Sequence, residues 1–341
     1  MTAQHPVGDR FDLICIGDVS VDLTLSIAAD QVTVDRDSTG RHLVLPFGAK
    51  VPTEVSATVP AAGNAANASV ACARLGLRVA LATYLGADAA GREALAALAA
   101  EGVGTSLVHQ DHRVPTNRNV ILRVGHERTI LVNHEEHECR WPRLQPAEAP
   151  AWVYLSSVGH DAHGYEDEIA AWLEATPDVS LAFAPGSLQV ARGAGELARL
   201  YRRAAVVVCN REEAAAITGR PADDGPAALL QALLDLGPGM AVVTDASAGA
   251  YGTDGDRFLH MPVFPDTAPV VDRTGAGDAF ASTLVASLVA GLDLEAALLR
   301  APVNAMSVVQ AMGSQAGLLD HDHLEALVAA APAGYAPRPL A

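Results

Sequence analysis

Six short apolar runs restrict this chain more than any other feature. They occupy 11–17 (FDLICIG), 79–85 (VALATYL), 151–157 (AWVYLSS), 179–185 (VSLAFAP), 205–210 (AVVVCN) and 240–245 (MAVVTD). Runs this short, without alternating polar positions, suit strands buried on both faces. Between them lie Ala- and Leu-rich stretches of helical character, for example 65–75, 92–101, 165–175, 195–203 and 227–236. Strand and helix therefore alternate. The alternation predicts an α/β fold whose central sheet is mainly parallel, with helices on both faces and a ligand crevice at the carboxyl ends of the strands.

Two segments break this rhythm by alternating polar and apolar residues with no following helix. One runs from Asp22 to Val59; the other, Asn117 to Asn133, reads as a β-hairpin turning at Gly125, His126 and Glu127. Together they predict a small β-sheet lid of about 22–59 and 113–134 over the strand ends. An antiparallel extension of the main sheet is the alternative. The main domain is expected over 11–331, with flexible tails at 1–10 and 332–341, where no hydrophobic period is found.

Charge narrows the partners. Of 341 residues, 23 are Lys or Arg and 40 are Asp or Glu, a formal net charge of -17 that argues against nucleic-acid or anionic-membrane binding. Small solutes remain. Hydrophobic residues at 50% supply a large core, and aromatics at 4% are too few for extensive stacking platforms. Cys15, Cys72, Cys139 and Cys209 form no C-x-x-C pair and read as thiols of a reducing compartment. The most lipid-like segment, FASTLVASLVAGL, is too short to span a bilayer, so a cytoplasmic protein is expected.

The segment with the clearest chemistry is 270–280, VVDRTGAGDAF, followed by an apolar helix. Gly275 and Gly277 permit a turn that leaves backbone N–H groups uncovered, and the helix start adds its dipole. Phosphate is the obvious guest. Asp278 would stand beside it, placed to take a proton from an attacking hydroxyl. A helix N-cap is the alternative role for this aspartate.

VVDRTGAGDAF resembles the C-terminal signature of the ribokinase-like (PfkB) family of sugar and nucleoside kinases. Other landmarks follow the family order: IGDVSVDL (16–23), AAGNAANASVACARLG (61–76), GHERT (125–129), NREEAAAITG (210–219), VVTDASAGA (242–250) and MGSQAGL (312–318). The resemblance covers roughly 11–320. It implies a ribokinase-like three-layer αβα sandwich, ATP and Mg²⁺ as cofactors, and transfer of the γ-phosphoryl group to a hydroxyl of a small sugar, sugar acid or polyol. Asp278 is implied as the base, and the backbone of Gly275, Ala276 and Gly277 as the anion hole. Asp22, Gly63, Asn64, Asn67 and Arg118 are implied at the substrate. Asn210, Thr244, Ala246, Gly249 and Asn304 are implied at the nucleotide. Asn210 and Glu213 would organise hydrated Mg²⁺, and Asp272 and Thr274, with Gly313, resemble the monovalent-cation (K⁺) loop of part of the family. A simple turn is the alternative there. A homodimer through the lid is also expected.

The chain departs from the family pattern at Ser20, Ala62, Ala246 and Ser282. Asn64 stands where phosphosugar kinases often carry lysine, which favours an unphosphorylated acceptor, although Arg118 and Arg123 could restore positive charge. A nucleoside kinase and a non-catalytic sugar or nucleotide sensor remain as alternatives. A nicotinamide-dependent oxidoreductase fits the alternation but lacks a glycine fingerprint after Gly17. His134 to Cys139 (HEEHEC) does not have zincin spacing and reads as a solvated loop. His160 and His163 could reach the crevice.

Overall fold

The computed structural model describes residues 10–37, 40–125, 127–142, 144–145, 148–159 and 163–340. From β1 (Leu13–Ile16) the chain leaves for β2 (Ser20–Ser26) and a ribbon of β3 (Thr33–Asp37) and β4 (Gly40–Val44), and returns through β5 (Glu54–Ala62). Then come α1 (Asn64–Arg74), β6 (Val79–Gly86), α2 (Ala89–Ala100) and β7 (Val108–Asp111). A second excursion, β8 (Asn117–Val124) and β9 (Glu127–Asn133), precedes β10 (Trp152–Leu155), α3 (His163–Ala175) and β11 (Ser180–Phe183). Next are α4 (Ser187–Arg192), α5 (Ala198–Arg203), β12 (Ala204–Asn210), α6 (Arg211–Thr218), α7 (Pro226–Leu234) and β13 (Met240–Thr244). The chain closes with β14 (Ala250–Thr253), β15 (Phe258–Met261), α8 (Ala276–Val289), α9 (Leu294–Val309), α10 (His321–Ala329) and β16 (Arg338–Pro339).

The main sheet has the order β16-β15-β14-β13-β12-β11-β10-β1-β6-β7. All pairings from β7 to β13 are parallel. All six apolar runs became its strands. Successive side chains of β1 divide the core: Leu13 and Cys15 pack with residues of α1, α8 and α9, whereas Ile14 and Ile16 pack with residues of α3, α5 and α7. That is the three-layer arrangement. Each such fully buried Leu or Ile contributes about 1.5–3 kcal/mol of burial.

The chain builds outward from β1 to β6 and β7, then resumes at β10 on the other flank of β1. Strand order reverses there, which opens a crevice at the carboxyl ends. The lid is a separate four-stranded sheet, β5-β2-β8-β9, rather than an extension of the main one, and β3 and β4 pair apart from it. Its strands connect directly to the crevice, because β2 follows β1 and β5 runs into α1.

Two elements differ from expectation. Residues 250–261 form an antiparallel hairpin on β13, a turn of direction that the parallel reading did not contain. The tail from Pro332 is docked: Tyr335 packs edge-on to Phe264 and donates to the Leu299 carbonyl at 3.0 Å, and β16 pairs with β15. One buried aromatic and a free sheet edge hold a segment whose composition looks featureless. Of the expected N-terminal tail, only Arg10 lies within the described residues.

Candidate active site

Helix α8 is apolar nearly all round and is buried from Ala279 to Leu288. Only its first turn opens outward. Gly275 precedes the helix in the left-handed conformation (φ 83°), and a side chain there would strike Ser314 at 2.8 Å. No side chain caps the start, so the N–H groups of the first turn have no partner from a cap. Gly277 is exposed, and a Cβ on it would meet nothing within 4 Å, which leaves room for a ligand to approach the backbone. Asp278 lies in the first turn and is not the cap, which disposes of its alternative role.

Packing of α1 against α8 brings Asn67 to the aspartate. Asn67 Nδ2 donates to Asp278 Oδ2 at 2.7 Å. Burial pushes the Asp278 carboxyl up to about 6, the Asn67 hydrogen bond pulls it down, and the neighbouring Glu213 and Asp22 carboxylates push it up again. A carboxyl in that range is largely ionised near neutrality yet holds a proton strongly enough to act as a base. Ser282 donates to the Asp278 carbonyl at 2.6 Å, so its departure from the family's glycine is absorbed within the helix.

Asp22 stands on β2 with two partners, Ser20, singled out in the sequence only as a departure from the family pattern, and Asn119, not singled out at all. Ser20 Oγ donates to Asp22 Oδ1 at 2.8 Å, and Asn119 Nδ2 donates to the same oxygen at 2.9 Å. Burial still raises the Asp22 carboxyl against these bonds. Register explains the grouping, since β2 and β8 run parallel with Asp22 opposite Asn119. The signal in the sequence was the alternation of the hairpin, which sets Asn117 and Asn119 on one face.

Register also removes Arg118 from this group. It pairs with Val21, so it lies on the face opposite Asp22, is exposed, and has Asp88 at 3.8 Å. Arg123 is likewise engaged, donating to the carbonyls of Gly125 and Val271. Gly63 caps α1 with φ 103°, where a Cβ would meet the Asp18 carbonyl at 2.6 Å, and Asn64 follows it exposed.

On the nucleotide side, Asn210 and Glu213 form a capping box on α6. Asn210 Oδ1 accepts from the Glu213 N–H at 2.8 Å, and Glu213 Oε2 accepts from the Asn210 N–H at 2.9 Å. The N-x-x-E spacing is therefore a helix start as well as a candidate metal pair. Glu213 Oε1 and the Asn210 amide nitrogen take no part in the box. Thr244 lies opposite Asn210 at the ends of the parallel strands β12 and β13. Beyond it, Ala246 has φ 43°, the one positive φ among described residues other than glycine, a conformation that glycine adopts more readily. Gly249 has φ 94°, and a side chain on it would collide with the Met261 carbonyl.

Asn304 does not belong to the nucleotide site. It is fully buried, donates to Thr283 Oγ1 at 2.8 Å and accepts from the Leu319 N–H at 3.0 Å, so its amide pins α9 to α8. Asp272 Oδ1 accepts from both the N–H and the hydroxyl of Thr274, and Oδ2 from the Gly313 N–H at 3.1 Å. Burial pushes this carboxyl up, but those bonds bring it below the usual range. These contacts account for Asp272 and Thr274 as a turn. Among the described residues, no three His, Cys, Asp or Glu side chains converge as a metal site. His160 and the side chain of His163 lie outside what is described.

A protein-family model, pfkB family carbohydrate kinase, matches residues 22–321. The Bifunctional protein HldE of Pseudomonas putida is 28% identical over 326 residues, covering 93% of this chain and 64% of its own length, so this chain spans about two thirds of that relative. Ribokinase of Bacillus subtilis is 26% identical over 80% of this chain and 88% of its own. Among solved structures, Arabidopsis thaliana ribokinase complexed with ribose and ATP has a TM-score of 0.78 at 19% identity, covering 94% of this chain and 99% of that one. A ribokinase II chain from E. coli with ATP and Mg²⁺ has a TM-score of 0.72 at 16% identity, over 94% and 99% of the two chains. The likeness of fold, the ordered motifs and the family match agree: this chain belongs to the PfkB family of carbohydrate kinases, phosphotransferases with hydroxyl acceptors, on the ribokinase fold.

Proposed function

We propose that the chain is an ATP-dependent kinase of a small, unphosphorylated carbohydrate or related polyol, with Asp278 as general base. One observation carries this reading: a carboxyl tuned to about 6 stands in the first turn of α8, beside backbone amides that no side chain caps. The base would relieve the acceptor hydroxyl of its proton, and the amides of Gly275, Ala276 and Gly277 would hold the migrating phosphoryl oxygens. Asp22, steadied by Ser20 and Asn119, suits directional hydrogen bonds to acceptor hydroxyls, with Gly63, Asn64 and Asn67 bordering it.

ATP would lie along Asn210, Thr244, Ala246 and Gly249. The ATP in the two kinase structures named above supports that donor. The Asp22 and Glu213 carboxylates both push Asp278 up, and burial raises Glu213 itself, so a hydrated divalent cation beside Asn210 and Glu213 would relieve that charge. Asn210 and Glu213 would hold Mg²⁺ through water; when bound it would neutralise phosphate charge. A monovalent cation near Asp272 rests on resemblance alone. The free thiols support a cytoplasmic setting.

The lid supports a homodimer. Strand β2 sets Ser20, Asp22, Thr24 and Ser26 on one face and Val21, Leu23 and Leu25 on the other. Since the polar face carries Asp22, the apolar one points away from the crevice, beside Val120 of β8 and the exposed Leu131 of β9. A second copy would cover it.

The deciding experiment measures ATP consumption over a panel of sugars, sugar acids, polyols and nucleosides, with mapping of the phosphorylated position. Asp278→Asn is expected to keep nucleotide binding and lower turnover by about 10² to 10⁴. An undiminished rate would remove Asp278 as the base.

A further inference from the structure

We infer that Gln315 is a positioning residue for the Asp278 carboxylate, acting through the side-chain amide of Asn67. The inference deepens the kinase reading and rests on it only for the kinetic consequence.

An asparagine amide can present either its nitrogen or its oxygen to a neighbour, and the surroundings decide which. At Asn67 the decision begins two residues away from the base. The Ala61 carbonyl can only accept, and Gln315 Nε2 lies 2.6 Å from it. The amide nitrogen of Gln315 must therefore be on that side. Its second hydrogen points to Asn67 Oδ1 at 2.9 Å. Ser314 Oγ donates to the same oxygen at 2.9 Å. With its oxygen held by two donors, Asn67 turns its nitrogen to Asp278 Oδ2. The base then receives a hydrogen bond at Oδ2, which favours its ionised form and leaves Oδ1 for the incoming proton.

A flipped Asn67 would set a carbonyl oxygen against the carboxylate. That arrangement persists only if the acid keeps its proton. Asn67 and Ser314 are 5% and 3% exposed, so water offers little compensation for a wrong orientation. The charged groups facing Asp278 from other elements, Glu213 of α6 and Asp22 of β2, both favour the protonated acid. Asn67 on α1 opposes them. Gln315, from the loop after α9, thus decides which way the balance falls.

The test is a carbon-13 NMR titration of the Asp278 carboxyl, assigned with Asp278→Asn, in the protein without substrates. Gln315→Leu removes the donor; Gln315→Glu keeps the shape but presents oxygen to both partners. In each, the midpoint is expected to rise by about one pH unit. The acid limb of kcat/KM should move with it while the acceptor KM near neutrality stays within about twofold. An unchanged midpoint in both variants overturns the inference. So does a uniform loss of kcat with a stationary limb, which would mean packing alone. If the parent chain phosphorylates no acceptor, the kinase reading fails, and the titration still decides the role of Gln315.

Discussion

Asp278 costs the fold something where it stands. Its carboxyl is raised above the ordinary 3.8 to about 6, chiefly by burial. A carboxyl raised on folding favours the native state only while protonated, so its contribution is fullest below about pH 4 and is lost as pH rises through about 6. With Asp278 as the proposed base, activity would run the other way, since a base must be ionised: kcat/KM should fall as pH drops below about 6. Asp278→Asn should therefore raise the melting temperature near pH 7.5, by the equivalent of about 1–2 kcal/mol, and lose that advantage near pH 4. Equal stability of the two proteins at both pH values would contradict the burial argument. The aspartate was legible in the sequence because an acid beside a glycine-rich turn has a chemical use. Gln315 and Asn119 were not, because their roles depend on atoms brought from distant segments. Asn304 shows the converse: the family resemblance implied it at the nucleotide, whereas its buried partners account for it inside the fold.

At the level of elements, helix starts do much of the placing. Helix α8 leaves its first turn uncapped, whereas α6 closes its own with the Asn210 and Glu213 box. The same two side chains would serve the metal, so their effects should separate by measurement. Asn210→Ala is expected to cost about 1 kcal/mol of stability through the lost cap. It should also raise the Mg²⁺ concentration required for half-maximal activity. A melting shift without any change in Mg²⁺ dependence would confine Asn210 to the cap. The sequence could not divide a structural from a metal-binding use of this pair, because N-x-x-E satisfies both spacings.

Over the whole molecule, the lid reverses the usual orientation of a two-faced sheet. The β2 face that carries Asp22 turns toward the crevice, and in the proposed dimer the face of Val21, Leu23 and Leu25 would meet the second copy. On the edge strand Leu131 is 52% exposed and by register shares the face of Val120 and Leu23, whereas Ile130 and Val132 alternate onto the face of Asp22. Leu131→Glu, on the apolar face, is expected to shift a dimer toward monomer in sedimentation equilibrium at unchanged helix content. A parent chain that sediments as a monomer would defeat the lid interface. The lid itself was legible because period-two alternation without a following helix departs from the doubly buried runs of the parallel sheet, although the sequence left an antiparallel extension of that sheet open. So was the three-layer body, since runs buried on both faces and helices of matching length admit few other arrangements. Those conclusions follow from local periodicity, which a chain carries along its length. The hairpin after β13, the docked Tyr335, the removal of Arg118 by strand register and the chain of amides from Ala61 to Asp278 were decided only in three dimensions. Each depends on which atoms meet across many intervening residues, and hydrogen-bond orientation and register are properties of that meeting rather than of either segment alone.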